Sequence, residues 1–247
     1  MQDWIEAVVV ENIRWNEHLF SLRVEADFAL FTAGQFTSLA LQIGDERVAR
    51  PYSFLSSPGQ NPAEFFFYTA TGGLLSNALV ELGKGDSLWV KQHANGFFTL
   101  DEVPDARDLW LLATGTGVAP FYSMLGTDEP WRRFQNIILV NAVRIGADLQ
   151  YLDRVREMQG KYGSRFRFQA FVSRETVTDT LPGRIPAAVA DGSLERAVGI
   201  DLSTNNSQLM LCGNPDMVKD TIEVLRERDF RKNRRRTPGH ITVENYW

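Results

Sequence analysis

The sequence predicts a two-domain fold: an antiparallel β-barrel over residues 1–100, then an α/β domain with a parallel sheet over residues 101–247. Three observations predict it. Short apolar runs separated by turn-forming Gly, Pro, Asp and Asn fill the first hundred residues, and short apolar strands alternating with helical runs fill the rest. The polar stretch Asp101–Asp108 links the two rhythms. In the first part, strands are expected at Ala7–Val10, Leu19–Val24, Phe36–Leu41, Tyr52–Ser56, Phe65–Thr69 and Ser87–Lys91, with one helical run, Leu75–Leu82. Closely spaced strands with few helices suit a small barrel. In the second part, Leu109–Ala113, Ile137–Val143, Phe166–Val172 and Leu209–Cys212 read as buried strands. Helices are expected from Pro120 to Leu125, around Tyr151–Lys161 and over Asp216–Asp229. That alternation gives a parallel sheet with helices on both faces.

Composition narrows the function. A net charge of −5 argues against a nucleic-acid binder, which needs a basic surface. The acidic start Met1–Glu6 carries no secretory pattern, and no run approaches the roughly 18 apolar residues of a membrane span. A single cysteine, Cys212, makes neither an internal disulfide nor a zinc or iron–sulfur cage. The histidines His18, His93 and His240 are scattered without metal-ligand spacing. The reading is a cytoplasmic monomer with no metal, whose redox cofactor, if any, is organic.

The second part carries two strand-end turns of one type. Gly115 and Gly117 follow an apolar strand, and Pro120 suits the first turn of a helix. Cys212-Gly213-Asn214-Pro215 repeats the pattern, and Asp216 opens the next helix. In parallel sheets ligands sit at the carboxyl ends of the strands, where glycines let a pyrophosphate reach the backbone. Locally, a tight turn without ligand explains each motif equally well. Charge then suggests which nucleotide. The second strand ends Val143-Arg144, the third is followed by Ser173-Arg174, and Arg184 lies in Gly183-Arg184-Ile185-Pro186. A guanidinium fork and a hydroxyl suit a 2′-phosphate; three solvated surface arginines are the alternative.

Four segments in this order carry a family resemblance: Arg50-Pro51-Tyr52-Ser53, Thr114-Gly115-Thr116-Gly117-Val118-Ala119-Pro120, Cys212-Gly213-Asn214-Pro215 and the aromatic pair Tyr246-Trp247. Together they resemble the bacterial-type ferredoxin/flavodoxin–NADP(H) reductases, from about Val8 to Trp247. The resemblance implies an FAD-binding barrel and an NADP(H)-binding α/β domain. It implies that Tyr52 lies against the isoalloxazine, Arg50 pairs with the pyrophosphate, Ser53 sits near flavin N5, and Pro51 fixes the backbone between them. Leu74, Leu75 and Ser76, after Gly72-Gly73, and Thr116 join the FAD set. Phe66 and Tyr68 share a strand face and either flank the ribityl chain or fill the barrel; Phe65 and Phe67 are read as core. For NADP, the implied set is Val143, Arg144, Ser173, Arg174, Arg184, Asn214, Pro215 and Asp216. Cys212 is implied to lie near the nicotinamide, joined by Ser53 and Glu244, with the carboxylate orienting the serine and moving protons. Read alone, Cys212 is an inert buried residue and Glu244 a terminal charge. Tyr246 and Trp247 are expected to pack on the flavin or its adenine.

The implied activity is hydride exchange between NADP(H) and flavin N5, coupled to one-electron exchange with ferredoxin or flavodoxin. A reductase component for an oxygenase or another flavin acceptor, and a non-catalytic flavin or nucleotide sensor on the same scaffold, are the alternatives. The run Arg231-Lys232-Asn233-Arg234-Arg235-Arg236 is either a helix end complementing the macrodipole or a docking patch for an acidic electron-transfer protein.

Overall fold

The computed structural model of the chain describes residues 3–234 and 236–245. Its contacts divide into two units, Met1–Thr99 with Ala119–Thr127, and Leu100–Val118 with Asp128–Trp247.

The first unit holds six strands: β1 (Trp4–Arg14), β2 (Leu19–Glu25), β3 (Phe36–Ile43), β4 (Glu46–Ser53), β5 (Ala63–Tyr68) and β6 (Ser87–Lys91). Their order is β4-β3-β6-β1-β2-β5, every pairing antiparallel. The two edges meet beyond the end of β4, where Phe54 bridges Phe65 and the Leu55 N–H donates to the Glu64 carbonyl at 2.8 Å. Closure removes the exposed edges that an open sheet would present. Leu22, Val24, Leu39, Phe65, Leu88 and Val90 fill the interior. The helix α1 (Leu74–Leu79) adds Leu75 and Leu79 to that core. The Asn12 amide donates to the carbonyls of Leu79, Val80 and Leu82, so the turn after α1 is tied to β1.

The strand expected at Tyr52–Ser56 begins and ends earlier. β4 starts at Glu46, directly after the Gly44-Asp45 turn, and pairs with β3 from Ile43↔Glu46 to Phe36↔Ser53. Its first half is too solvated to read as an apolar run, so the sequence shows only its buried end.

The second unit holds a six-stranded sheet, β10-β9-β8-β7-β11-β12, all parallel. Its strands are β7 (Asp108–Thr114), β8 (Asn136–Val143), β9 (Phe166–Val172), β10 (Thr180–Pro182), β11 (Ser207–Gly213) and β12 (Ile241–Asn245). Helices α5 (Ile185–Ala190), α6 (Ser193–Val198) and α7 (Pro215–Glu227) cover one face through Ile185, Val189, Leu194, Val218 and Leu225. On the other face, Leu152 of α4 (Leu152–Tyr162) packs with Val143, Ala170 and Val172. The two sheet classes are those the sequence predicts.

Several elements go beyond the sequence reading. The helix α3 (Glu129–Arg133), β10, α5 and α6 are three to six residues long, too short for a periodic signal. β12 is an edge strand in a tail to which the sequence reading assigns no element. The helix α2 (Ala119–Leu125) groups with the barrel, for a visible reason: Ser123 Oγ donates to the Ser56 carbonyl at 2.8 Å and Ser57 Oγ to the Ser123 carbonyl at 2.9 Å. Among the described residues no helix is long and apolar enough to cross a membrane.

Candidate functional site

In the first unit the site residues gather at the end of β4. Alternation along a strand puts Val48, Arg50 and Tyr52 on one face and Pro51 and Ser53 on the other. Tyr52 packs edge-on against Phe67, ring centroids 5.5 Å apart. Burial pushes its phenol up to about 12 against the opposing pull of the Arg50 guanidinium, so it stays neutral and able to donate. Arg50 is exposed, and one of its amino groups donates to its neighbour's carbonyl, Ala49 O, at 2.7 Å. Ser53 is 7% exposed, and its hydroxyl has no hydrogen-bond partner among the described residues. An exposed guanidinium next to a polarisable ring, with an uncommitted hydroxyl one residue on, fits a flat, anionic group such as a flavin nucleotide.

The Gly72–Ser76 segment opens the helix α1, and its side chains are largely committed within the unit. Ser76 Oγ accepts from the Ala70 N–H at 3.1 Å, so it holds its own turn together. Leu75 is buried in the barrel core and can meet a ligand only through its backbone; the Leu74 side chain is largely exposed. α1 has six residues and no acidic or basic side chain in its end turns. A helix this short contributes little dipole, so phosphate neutralisation falls to Arg50. Phe65 and Phe67 belong to the core as expected, whereas Phe66 and Tyr68 point to the other face of β5 and lie outside that core cluster.

In the second unit the two strand-end turns lock into each other. β7 and β11 are neighbours, with Cys212 opposite Ala113. Gly213 has φ +128°, and a Cβ there would lie 2.2 Å from Thr114 Oγ1. A Cβ on Gly117 would come within 2.7 Å of the Cys212 carbonyl oxygen. Both glycines are therefore required by turn-on-turn packing, whether or not a pyrophosphate also approaches. Thr114 Oγ1 accepts from the Asn214 N–H at 2.8 Å and completes the lock. Thr116 lies half-buried in the 3₁₀ turn Gly115–Val118 that leads into α2.

Asn214 is the N-cap of α7: its Oδ1 accepts from the N–H groups of Asp216 at 2.9 Å and Met217 at 3.2 Å. Pro215 occupies the first helical position, where its missing N–H costs nothing. Asn214→Ala is expected to lower stability by about 1 kcal/mol, roughly 2–4 °C in melting temperature. Thermal unfolding of the holoprotein checks this, and an unchanged midpoint would mean that the cap is dispensable.

The three arginines meet by register. Val143, Val172 and Pro182 are paired across β8, β9 and β10. Arg144, Arg174 and Arg184 follow them by one or two residues, so all three emerge at adjacent carboxyl ends. The Arg174 N–H donates to the Arg144 carbonyl at 2.9 Å, and Ser173 Oγ donates to the Val143 carbonyl at 3.3 Å. The three guanidinium groups are exposed and make no ion pair among the described residues. Uncompensated cations at neighbouring strand ends are what a phosphate monoester needs.

Cys212 and Glu244 face each other on β11 and β12. Cys212 is fully buried. Burial pushes the Glu244 carboxyl up to about 7, and its Oε2 is buried with no hydrogen-bond partner among the described residues. A carboxyl that titrates near neutrality can hold or release a proton under working conditions. Ser53 belongs to the other unit. Tyr246 and Trp247 lie outside the described residues.

The basic run does not end a helix. α7 stops at Glu227, and the run lies in the following loop, too far to complement a macrodipole that acts within the last turn. Asn233 pins the loop base: its Nδ2 donates to the Glu102 carbonyl and its Oδ1 accepts from the Gly239 N–H. Arg231, Lys232, Arg234 and Arg236 are exposed; Arg235 lies outside the described residues.

Known proteins resemble this chain along its whole length. The oxidoreductase FAD-binding domain family matches residues 5–97, and the oxidoreductase NAD-binding domain family matches residues 111–223. The flavodoxin/ferredoxin–NADP reductase of Shigella flexneri is 47% identical over 248 residues, and that of Escherichia coli K12 is 46% identical, each alignment covering 100% of both chains. The crystal structure of a ferredoxin NADP+ reductase from Neisseria gonorrhoeae with bound FAD and NADP superposes with a TM-score of 0.95 at 29% identity, again covering 100% of both chains. Identity at this level across both units, on the two sheets described above, means that the chain belongs to the flavodoxin/ferredoxin–NADP reductase family.

Proposed function

We propose that this protein is an FAD-dependent oxidoreductase that exchanges electrons between NADP(H) and a one-electron carrier, ferredoxin or flavodoxin. The observation that carries the reading is the Cys212–Glu244 pair at the carboxyl end of a parallel sheet, three of whose adjacent strand ends present arginines with no ion pair among the described residues. FAD, when bound, supplies the redox chemistry, taking electrons as a hydride pair and giving them up singly. The protein binds, orients and moves protons. Residues 1–100 form the FAD-binding part, with Arg50 answering the pyrophosphate charge, Tyr52 lying against the ring system, and the Ser53 hydroxyl donating to it. Backbone groups at Leu74, Leu75 and Ser76, with Thr116, complete the set; Phe66 and Tyr68 flank the ribityl chain. Residues 101–247 form the NADP(H)-binding part. There Arg144, Arg174 and Arg184 hold the 2′-phosphate, with Ser173 beside them. Val143, Asn214, Pro215 and Asp216 shape the floor of the nucleotide site. Glu244 moves the proton, and Cys212 packs against the nicotinamide site.

The carrier is acidic and docks on the exposed cations of the 231–236 loop, whose pinned base keeps them in place. The enzyme works as a cytoplasmic monomer without membrane or nucleic-acid partners, in keeping with its net charge of −5 and its single cysteine.

The test is anaerobic titration of the yellow holoprotein with NADPH, followed by reduction of added flavodoxin or ferredoxin. Bleaching by NADPH and carrier reduction that weakens steeply with salt are expected, because exposed charges are screened. Arg234→Glu with Arg236→Glu should reduce carrier turnover and its salt dependence while NADPH bleaching stays intact. Failure of NADPH to bleach the flavin would leave a sensor, and salt-independent carrier reduction would remove the loop from docking.

A further inference from the structure

The basic loop between Phe230 and β12 is closed at its base by one pair of residues. The His240 N–H donates to the Arg231 carbonyl at 2.7 Å, and the Arg231 N–H donates back to Nδ1 of the His240 ring at 3.1 Å. The Ile241 N–H shares the Arg231 carbonyl at 3.1 Å. Beyond this clasp Arg234 and Thr237 exchange two backbone hydrogen bonds, at 3.1 and 2.8 Å, which close the tip of the loop. The exposed cations therefore stand on a segment tied at both its base and its tip.

The clasp depends on the charge of one ring. A nitrogen that accepts from an N–H carries a lone pair, so in this geometry the His240 proton sits on Nε2 and the imidazole is neutral. An imidazolium has two N–H groups and no acceptor, so protonation sets donor against donor at Arg231. Burial and the Arg231 guanidinium push the ring below its ordinary value of 6.5, and a backbone hydrogen bond with Thr204 opposes them. With the folded value below the unfolded one, the tie is fully present above about pH 6.5 and is lost as pH falls below it. Among the described residues Arg231 is the charged group that bears on the ring. The segment after α7 meets it with the Phe230 ring, edge-on with centroids 5.4 Å apart, and β11 meets its backbone with the Leu209 N–H. Neither of these ionises, nor does Thr204.

We propose that the Arg231–His240 clasp is a pH-sensitive catch on the basic loop, closed by a neutral ring and opened by an imidazolium. The proton comes from solvent, and no covalent bond other than the new N–H is made or broken. Opening frees the Arg231 end of the loop, while Asn233 still holds its middle to Glu102 and Gly239. The cations then lose their fixed spacing without leaving the surface. The consequence for the carrier rests on the docking reading given above; the catch itself does not. Protonation also adds a cation to the loop, so charge alone would tighten the hold on an acidic partner as pH falls. An opening catch loosens it.

Amide hydrogen exchange of the holoprotein from about pH 8 to about pH 5, corrected for the intrinsic rate at each pH, tests the catch directly. Protection at the Arg231 N–H should fall by about two- to tenfold as the His240 ring titrates, which is the loss of one net hydrogen bond. His240→Asn offers a side-chain oxygen and carries no charge at any pH, so its protection should stay level across the range. Titration of the His240 ring with no change at the Arg231 N–H overturns the proposal, as does an equal fall in His240→Asn. The first of these outcomes needs only the parent protein. Reduction of flavodoxin at low salt should fall below about pH 6 in the parent relative to His240→Asn, while NADPH bleaches the flavin equally in both. An opening catch with equal carrier reduction in the two proteins would uphold the catch and take the loop out of docking.

Discussion

Arg174→Ala is expected to raise the KM for NADPH by about 10- to 100-fold and to leave NADH kinetics almost untouched. The reason is local. Arg174 extends from the end of β9, tied through its own N–H to the Arg144 carbonyl, and its guanidinium makes no ion pair among the described residues. A charge-assisted hydrogen bond contributes about 1.5–3 kcal/mol, a tenfold to hundredfold change in affinity. NADH lacks the 2′-phosphate, so nothing is lost with it. Combining Arg174→Ala with Arg144→Ala should bring discrimination down by about 10²- to 10⁴-fold. Steady-state kinetics with both nucleotides settles it. Equal losses with NADPH and NADH would assign these arginines another task.

The second large effect is a pH dependence of stability set by Glu244. Its carboxyl is raised by burial to about 7 in the folded protein, against an ordinary value of 4.5 in the unfolded chain. Between those values the folded state holds the proton more tightly than the unfolded state. Stability therefore falls as pH rises from about 4.5, and the loss is complete above about 7. The corresponding free energy is about 3 kcal/mol. Glu244→Gln should match the parent near pH 4 and exceed it by about that amount at pH 8, measured by urea unfolding of the holoprotein. The same variant should slow flavin reduction by NADPH in stopped flow, since it can no longer exchange a proton. A constant stability difference across the range would show that the carboxylate has a compensating partner.

Much of the fold was legible because it rests on strong local signals. The strands β7, β8 and β11 are largely apolar runs with both faces covered, β9 alternates Arg167 and Gln169 with apolar residues, and all four lie within about two residues of their expected limits. The first half of β4 was hidden by its exposed side chains. β12 was hidden because Ile241, Thr242 and Val243 make a strand only by pairing with β11, a long-range event with no local signature. The site was legible in its charges and less so in its geometry. Gly117 and Gly213 were read as room for a pyrophosphate, yet each is already demanded by the opposite turn. Asn214 was read as a nucleotide contact, and its side-chain oxygen is committed to capping α7. His240 carried no motif; only the hydrogen bond that its ring accepts from the Arg231 N–H brings it forward.

The grouping of Ala119–Thr127 with the barrel has a consequence for anyone who would take the protein apart. The backbone passes from one unit to the other three times, at 99/100, 118/119 and 127/128. Neither unit is a continuous stretch of gene. A fragment ending at residue 100 loses the partners that Ser123 offers to Ser56 and Ser57, and the complementary fragment carries α2 with its apolar side chains stripped of their setting. Split expression at the apparent linker should thus give two poorly soluble pieces. In the intact chain α2 is therefore expected to unfold together with the barrel that holds Ser123, and not with the sheet that it follows in sequence.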